Sequence, residues 1–470
     1  MNQRRYAMQS TAAQHFTCAD NRLQALWDNA LRASRQNLRF FQNRKVLVEG
    51  GGYEKIWLET QPMGGEMYFP HDPEAAKNNI LLFMEHQRAD GRLPGSIALL
   101  DGKIVPQFNK LQGFCFPLHA MNLYYLTGES KEYLRQLEDC LIRFDNWLHN
   151  TRDTDGDGVL ESFCVYDTGE DNAMRYGDAP CWWEEDAPPQ GNSFVPMASM
   201  DITSFSFACR STLAKIAVLL KNGREAEWRQ KAKAIQNTLI EKLWDQHRSA
   251  CFDIHPGGRK QTVITHNNLR CMYWESFTGE MAEAFVQKHL LNPREFWTPL
   301  PLPSVAADDP LFRNVPENNW SGQCEGLTYQ RVLFALENYG MEKYLPLLAE
   351  KLFSAVENNG YAFTQQYDPF TAAASLKETQ AAYGPTILAV LGYLTHLYGI
   401  FPHKGELRFS AMSGPSYSFT YHLNGQTHQI ESNGKQAVIT FAGKRLSPLP
   451  CGYSYTFHPD GTLKSTHSFI

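Results

Sequence analysis

Two acids stand side by side in the run Thr168-Gly169-Glu170-Asp171-Asn172-Ala173-Met174-Arg175, with Tyr166 before it and Tyr176 after it. Gly169 permits a sharp backbone path. A carboxyl held among aromatic rings is poorly hydrated, keeps its proton to higher pH and can serve as a general acid. Such a turn suits an acid beside a sugar ring; the plainer alternative is a solvated turn ahead of a helix. Next comes Cys181-Trp182-Trp183-Glu184-Glu185-Asp186, where paired tryptophans beside three acids suggest a sugar-subsite wall, with Trp182 in it, or a solvent-facing loop with aromatic anchors. Upstream, Asp153, Asp155 and Asp157 alternate with Thr154 and Gly156 like the front half of a calcium loop. Cys164 occupies the twelfth position, so the loop is not a complete EF-hand. No metal or organic cofactor is expected, with calcium at these three aspartates as the one candidate. Glu325 falls in the first turn of an expected helix, where a carboxylate is either functional or stabilised by the helix dipole. Asp201 reads as a helix N-cap.

Long helices must carry these loops. Leu134, Leu137, Leu141, Phe144 and Leu148 recur at steps of three and four. So do Trp228, Ala232, Ile235, Leu239 and Leu243, and Ile387, Leu391, Leu394 and Tyr398. Short turns containing Gly128, Gly223, Gly279 and Gly340 join helices in pairs, the glycine acting as the stop. Between pairs run long Pro-, Gly- and Trp-rich segments over 50–72, 92–112, 150–200, 292–324 and 359–384. Loops of that length are usually functional. About eleven or twelve paired helices with long loops gathered at one end describe a mainly α chain folded as an (α/α)6 barrel over residues 1–404. A helical solenoid is the rival, but no regular repeat is visible. Alternating segments at Glu406–Phe409, Ser416–Tyr421, Gln436–Phe441 and Ser454–Phe457 predict a β-sandwich-like module over 405–470.

Composition narrows the partners. The chain has 470 residues, 43% of them hydrophobic and 20% charged, and a net charge of −6, which describes a globular protein without a nucleic-acid surface. Ten Trp, 21 Tyr and 28 Phe offer flat faces for sugar C–H groups. Met1–Ser10 has no apolar run after its charges and does not read as a signal peptide. No stretch approaches 18 apolar residues, so no membrane span is expected. The ten cysteines show no CxxC pair and read as reduced core thiols in a cytoplasmic protein. There is no GxSxG, P-loop, GxGxxG or HExxH motif.

Four segments together resemble glycoside hydrolase family 63. Thr168–Arg175 is similar to the S-G-x-D-N-x-x-R run that carries the family's general acid, and Gln87-Arg88-Ala89-Asp90-Gly91-Arg92-Leu93-Pro94 to its Q-x-x-D-G-x-x-P turn. Trp320-Ser321-Gly322-Gln323 resembles its Trp-Arg-Gly-Pro segment, and Gln365-Gln366-Tyr367-Asp368-Pro369 its E-x-Y-[DN]-P segment. The resemblance implies an inverting glycosidase acting on a small α-linked oligosaccharide or glycoside, α-glucosidase-like, with Asp171 as general acid. It implies that Asn172, Arg175, Trp320 and Tyr367 orient the sugar, with Gln323 and Gln365 beside them, and that Glu66, standing where the family has Trp-Asp, binds a sugar hydroxyl. It also exposes a departure: Gln365 replaces the glutamate that acts as general base. Glu325 and Glu378 are the candidates to replace it, and an inverting pair of carboxyls stands about 6.5–9.5 Å apart. Two rivals keep the barrel and change the chemistry. A sugar isomerase or epimerase would need a pair of histidines at the mouth, and a non-catalytic sugar-binding protein would account for Gln365 directly.

Overall fold

The computed structural model describes residues 13–128, 130–458 and 460–469, except for the side chains at 378 and 379. The signal-peptide expectation for Met1–Ser10 lies outside these residues. In chain order the helices are α1 (Asn21–Ser34), α2 (Gln61–Tyr68), α3 (Pro73–Glu85), α4 (Phe116–Thr127), α5 (Lys131–Thr151), α6 (Met200–Leu220) and α7 (Glu225–Lys242). There follow α8 (Asn267–Tyr273), α9 (Gly279–Phe285), α10 (Gly326–Asn338), α11 (Leu345–Asn358), the single turn α12 (Lys377–Gln380) and α13 (Gly384–Tyr398).

Six of these helices form a closed ring. α2 packs on α4, α4 on α6, α6 on α8, α8 on α10, α10 on α13, and α13 returns to α2. The ring helices are apolar on nearly every side: α13 buries all its residues but the last, Tyr398. The helices outside the ring are amphipathic. α5 buries Leu134, Leu137, Leu141, Phe144 and Leu148, the stripe its period predicts, and α1, α3, α5, α7 and α11 each lie against a ring helix. By length and composition α6 could cross a membrane, contrary to the reading of the sequence. Instead, 61% of its apolar window is buried inside the protein, where α4, α5, α7 and α8 surround it.

Connections from ring to outer helix are tight. α4 ends on Gly128, whose φ of 64° is the left-handed stop that glycine adopts freely. Gly279 departs from the expected pattern: it begins α9 behind the Thr278 cap and does not end α8. Connections from outer to ring helix are long: 35–60, 86–115, 152–199, 243–266, 286–325 and 359–383. All six therefore precede the N-terminus of a ring helix. Short antiparallel sheets brace them, among them Cys324–Glu325 on Gln366–Tyr367 on Ala374–Ser375.

The β module is two antiparallel sheets in contact. One carries Tyr417–Leu423, Gln426–Ser432 and Gln436–Phe441; the other carries Glu406–Ala411, Tyr453–Phe457 and Leu463–Ser468. Phe409, Phe441 and Phe457 stack between them at centroid separations of 5.3 to 6.0 Å. The expected boundary at 404/405 does not hold. Ile400–His403 pairs with Glu406–Ala411 through a Lys404-Gly405 turn with both φ angles positive, so the boundary cuts a hairpin. At the other end of the chain, Ala13–Cys18 pairs with Tyr417–Leu423 from Tyr417 through His422. An unpaired strand there would leave an open edge, and the six-residue segment that covers it is too far away in sequence for local patterning to reveal.

Ring closure depends on close approach. A Cβ on Gly326, at the start of α10, would lie 1.7 Å from Thr386 Oγ1 of α13. Gly326→Ala is expected to destabilise the protein by about 1–3 kcal/mol or more, the cost of overpacking a filled core. A lowered urea midpoint at unchanged slope would show it; an unchanged midpoint would mean that the two helices can move apart freely.

Candidate active site

The long segments meet at one end of the ring around a cavity of about 150 Å³, well beyond the ~10–15 Å³ that a single water needs. The segment before α2 contributes Glu49, Tyr53, Trp57 and Glu59. The segment before α4 contributes Lys110 and Gln112, and the loop ahead of α6 Tyr166, Gly169 and Asp171. Trp320 comes from the approach to α10, and Gln365 and Tyr383 from the approach to α13. The walls thus come from the segments that precede α2, α4, α6, α10 and α13.

The two neighbouring acids of the 168–175 run point into opposite environments. Glu170 is buried in a charge cluster. It pairs with Arg175, accepts from His266 Nε2 at 2.8 Å and takes the Asn267 amide at 3.0 Å. Burial alone would raise its pKa, but Arg175, Arg270 and His266 hold it well below the carboxylate range. Arg175 also pairs with Asp253, and with Asp201 at 2.9 Å. His266 is pushed down to about 4 by burial and stays neutral, its other nitrogen on Thr328 Oγ1 at 2.9 Å. Asp171 faces the cavity. Burial raises its pKa, while a hydrogen bond from Asn318 Nδ2 to Oδ2 at 2.6 Å and the charge of Lys110 draw it partly back.

Glu59 lies directly under this loop. A Cβ on Gly169, whose φ is 72°, would sit 2.1 Å from Glu59 Oε2, so only glycine can pass here. Arg331 donates to Glu59 Oε1 at 3.0 Å and Gln112 to Oε2 at 3.2 Å. Burial raises the pKa of Glu59, and Arg331 and Arg270 oppose it. Lys110 is buried over the rings of Trp57 and Tyr166, 5.1 and 5.6 Å from their centroids, and makes no ion pair among the described residues. Loss of hydration and the nearby Lys55 lower its pKa.

Several expected site residues lie elsewhere. Glu66 is in the last turn of α2, away from the mouth, bonded to His119 and, at 2.9 Å, to Asn122; Glu59, seven residues earlier, takes the place at the cavity. Arg175 is fully buried in its carboxylate cluster and cannot touch a sugar. Asp201 caps nothing: Ser199 caps α6, and Asp201 turns inward to Arg175. Tyr367 is buried with its hydroxyl on the Ala362 carbonyl, and Gln323 braces Asn314 and Gln366. Glu325 is buried beside Gln365 and does not line the cavity. Neither of its oxygens makes a hydrogen bond among the described residues, and burial with Asp171 nearby raises its pKa strongly. The side chain of Glu378 lies outside the described residues. Trp182 is 58% exposed at the rim, its ring 6.4 Å from Tyr166, and Asn172 is exposed at φ 57° with its amide on the Asn318 carbonyl at 2.8 Å. Trp320 and Gln365 are where the sequence puts them, on the cavity wall.

Gln365 is occupied by the protein itself. Its Oε1 accepts from Tyr53 at 2.8 Å and its Nε2 donates to Asn318 Oδ1 at 2.9 Å, so Asn318 bridges it to Asp171. The residues that sequence reasoning missed are Glu49, Tyr53, Glu59, Lys110 and Asn318. The first three share a signal with the acid loop: acids, glycines and aromatics packed into a long segment ahead of a helix. Asp153, Asp155 and Asp157 place carboxylate oxygens within 4.8 Å of one another, and all three also accept backbone N–H bonds of their own loop at 2.8 to 3.2 Å.

Comparison with known proteins gives this geometry a family. Residues 67–384 match the family of mannosylglycerate hydrolase MGH1-like glycoside hydrolase domains. Among solved structures, the family 63 mannosylglycerate hydrolase from Thermus thermophilus, in complex with glucose, superposes with a TM-score of 0.63 at 17% identity over 78% of this chain and 99% of that one. Neutral trehalase Nth1 from Saccharomyces cerevisiae gives 0.55 at 12% identity over 75% and 73%. A family 78 rhamnosidase from Bacillus sp. GL1 gives 0.59 at 14% identity over 91% and 40%. Comparison with curated protein sequences finds no match. The chain belongs to the MGH1-like family and is a glycosidase.

The charge cluster beneath the cavity has a measurable consequence. Arg175→Met would leave Glu170, Asp201 and Asp253 buried without their shared cation, and breaking a buried pair from one side costs about 3–5 kcal/mol. The variant is expected to unfold at markedly lower denaturant than wild type; wild-type stability would mean that the carboxylates are hydrated or paired otherwise.

Proposed function

We propose that this glycosidase is an (α/α)6-barrel enzyme that hydrolyses a small α-linked glycoside with inversion, using Asp171 as general acid. The observation that carries the proposal is the contrast between the adjacent acids. Glu170 is held as an anion, while Asp171, on the cavity wall, is lifted by burial and presents its second oxygen without a partner among the described residues. Such separation of neighbouring carboxyls by environment is how one site obtains a proton donor at ordinary pH. The closed ring of six helices with five outer helices packed on it supports the barrel.

The walls suit a sugar. Trp57, Tyr166 and Trp320 offer faces for C–H stacking, and Glu59, Gln112 and Tyr53 offer hydroxyl partners. Lys110 adds a positive charge that makes no ion pair among the described residues. We take the substrate to be a small glycoside with an anionic group on the leaving side; the Thermus enzyme also has a structure in complex with Tris and D-glycerate. The isomerase reading needs histidines at the mouth, and no histidine lines the cavity among the described residues. All ten cysteines are unpaired, which suits a reducing compartment, and we place the reaction in the cytoplasm.

In the reaction, the Asp171 carboxyl gives its proton to the glycosidic oxygen as the bond to the anomeric carbon breaks. A water attacks that carbon from the opposite face and loses a proton to a second carboxylate. Asp171 must be protonated to act, so activity is present below its folded pKa and falls as pH rises through it. Burial moves that limb above the ordinary aspartate range.

Wild type and Asp171→Asn would be assayed against α-linked disaccharides, aryl glycosides and glycosides of hydroxy acids, with the product anomer followed by NMR. The expected result is the inverted anomer, with kcat reduced about 10²–10⁴-fold in the variant. Absence of turnover on every substrate, retention of configuration, or turnover indifferent to Asp171→Asn would sink the proposal.

A further inference from the structure

The base is the unassigned half of this reaction. Gln365 cannot take a proton from water, and both ends of its amide are already bonded to Tyr53 and Asn318. Among the carboxylates at the mouth, Glu59 is engaged by Arg331 and Gln112 and approached by Arg270 at 3.7 Å, and Glu325 lies off the cavity. Only Asp171 and Glu49 line the cavity without an ion pair and with one oxygen unbonded among the described residues.

Glu49 is also firmly placed. Its Oε1 accepts from the Tyr383 hydroxyl at 3.1 Å, its backbone N–H donates to the Lys55 carbonyl at 3.2 Å, and its carbonyl takes the Gly384 N–H at 2.7 Å. A Cβ at Gly384 would lie 2.4 Å from that carbonyl, so the first turn of α13 presses directly on it. The Glu49 carboxylate therefore projects from the seam where the ring closes. From the same seam Gln365 enters the cavity.

Resting on the assignment of Asp171 as acid, we infer that Glu49 is the general base of this glycosidase, supplying from the first long segment the carboxylate that Gln365 lacks. The proton balance is complete. Glu49 takes a proton from the attacking water as its oxygen bonds the anomeric carbon, and Asp171 gives one to the departing oxygen. The two carboxyls then return to their starting states by exchange with solvent. The pair is suited to hold one proton between its members. Burial raises both, and Glu49 is raised further by Glu59 and by Asp171 itself, with the Tyr383 hydroxyl and Arg331 opposing. Two like charges on one small cavity resist ionising together, so the pair keeps a single proton over a broad pH range, and the reaction proceeds from the form in which Asp171 carries it.

The test uses Glu49→Gln, which keeps the bond to Tyr383, on the glycoside that wild type hydrolyses. The expected kcat is about 10²–10⁴-fold lower with KM changed far less and the acidic limb of the pH profile lost. Azide, which needs no base, should enter in place of water and give the glycosyl azide of inverted configuration while Asp171 still protonates the leaving oxygen. The double variant Glu49→Gln with Gln365→Glu restores a carboxylate on the same cavity and should regain hydrolysis, which a merely misfolded Glu49→Gln could not. The inference is overturned if Glu49→Gln keeps kcat within about tenfold of wild type, less than a general base supplies. It is equally overturned if the alkaline limb is the one lost, if azide and the second carboxylate both fail to restore turnover, or if Glu325→Gln is the variant that removes the acidic limb. Inactive wild type would instead sink the glycosidase mechanism as a whole. An active Glu49→Gln beside an inactive Asp171→Asn would sink the role of Glu49 alone.

Discussion

Arg175 is the pin on which the mouth of this protein depends. Its guanidinium sits among Glu170, Asp201 and Asp253, drawn from the acid loop, from α6 and from the segment ahead of α8. None of these four groups could be buried alone, because an unpaired charge in a protein interior is prohibitively unfavourable. Together they compensate one another, although Asp201, lifted by burial to about 6, shows that the compensation is incomplete. The cluster adds little net stability over an apolar core of the same shape. What it does is hold the loop in one register, with Glu170 turned down into the protein and Asp171 turned up into the cavity.

The rest of the mouth follows from the same placement of charge. Every long segment ends at the N-terminus of a ring helix, where backbone N–H groups and the helix dipole favour negative charge. That field makes it possible to collect Glu49, Glu59, Asp171 and Glu325 near one another. Arg270 and Arg331 from α8 and α10 supply positive charge beneath the mouth and reach Glu59 and Glu170, leaving Asp171 and Glu49 without an ion pair among the described residues. Burial then decides the protonation of the two that remain.

Gln365 illustrates how a position can keep its structural duty after losing its chemical one. Its amide bonds Tyr53 on one side and Asn318 on the other, and Gln380 donates to the same Tyr53 hydroxyl at 2.7 Å. A carboxylate there would accept both bonds only if Asn318 turned its amide over, which would withdraw the donor now held on Asp171. The amide at 365 and the hydrogen bond on the acid are therefore linked through one side chain.

What the sequence determined by itself was whatever repeats locally or travels in a short run. Helical period along α5, α7 and α13 showed the helices, left-handed glycines such as Gly128 showed where they stop, and long aromatic loops showed which end would carry chemistry. The 168–175 run located Asp171, and the Gln365 substitution was visible as a gap in the expected pattern. The sequence misplaced whatever depends on direction or on distant partners. Arg175 reads as a sugar ligand because nothing local reveals that Asp201 and Asp253 from other segments enclose it together with Glu170. Glu66 reads as a sugar ligand, and the place at the cavity belongs to Glu59, because the end of α2 that faces the mouth is invisible until the ring shows which end is open. The strand at Ala13–Cys18 leaves no local signal because the strand it pairs with lies near the opposite end of the chain. Only the tertiary structure decided which acids share a cavity, because the cavity walls are drawn from segments that meet solely through ring closure, and because burial, which sets each carboxyl's protonation, is a property of the assembled mouth.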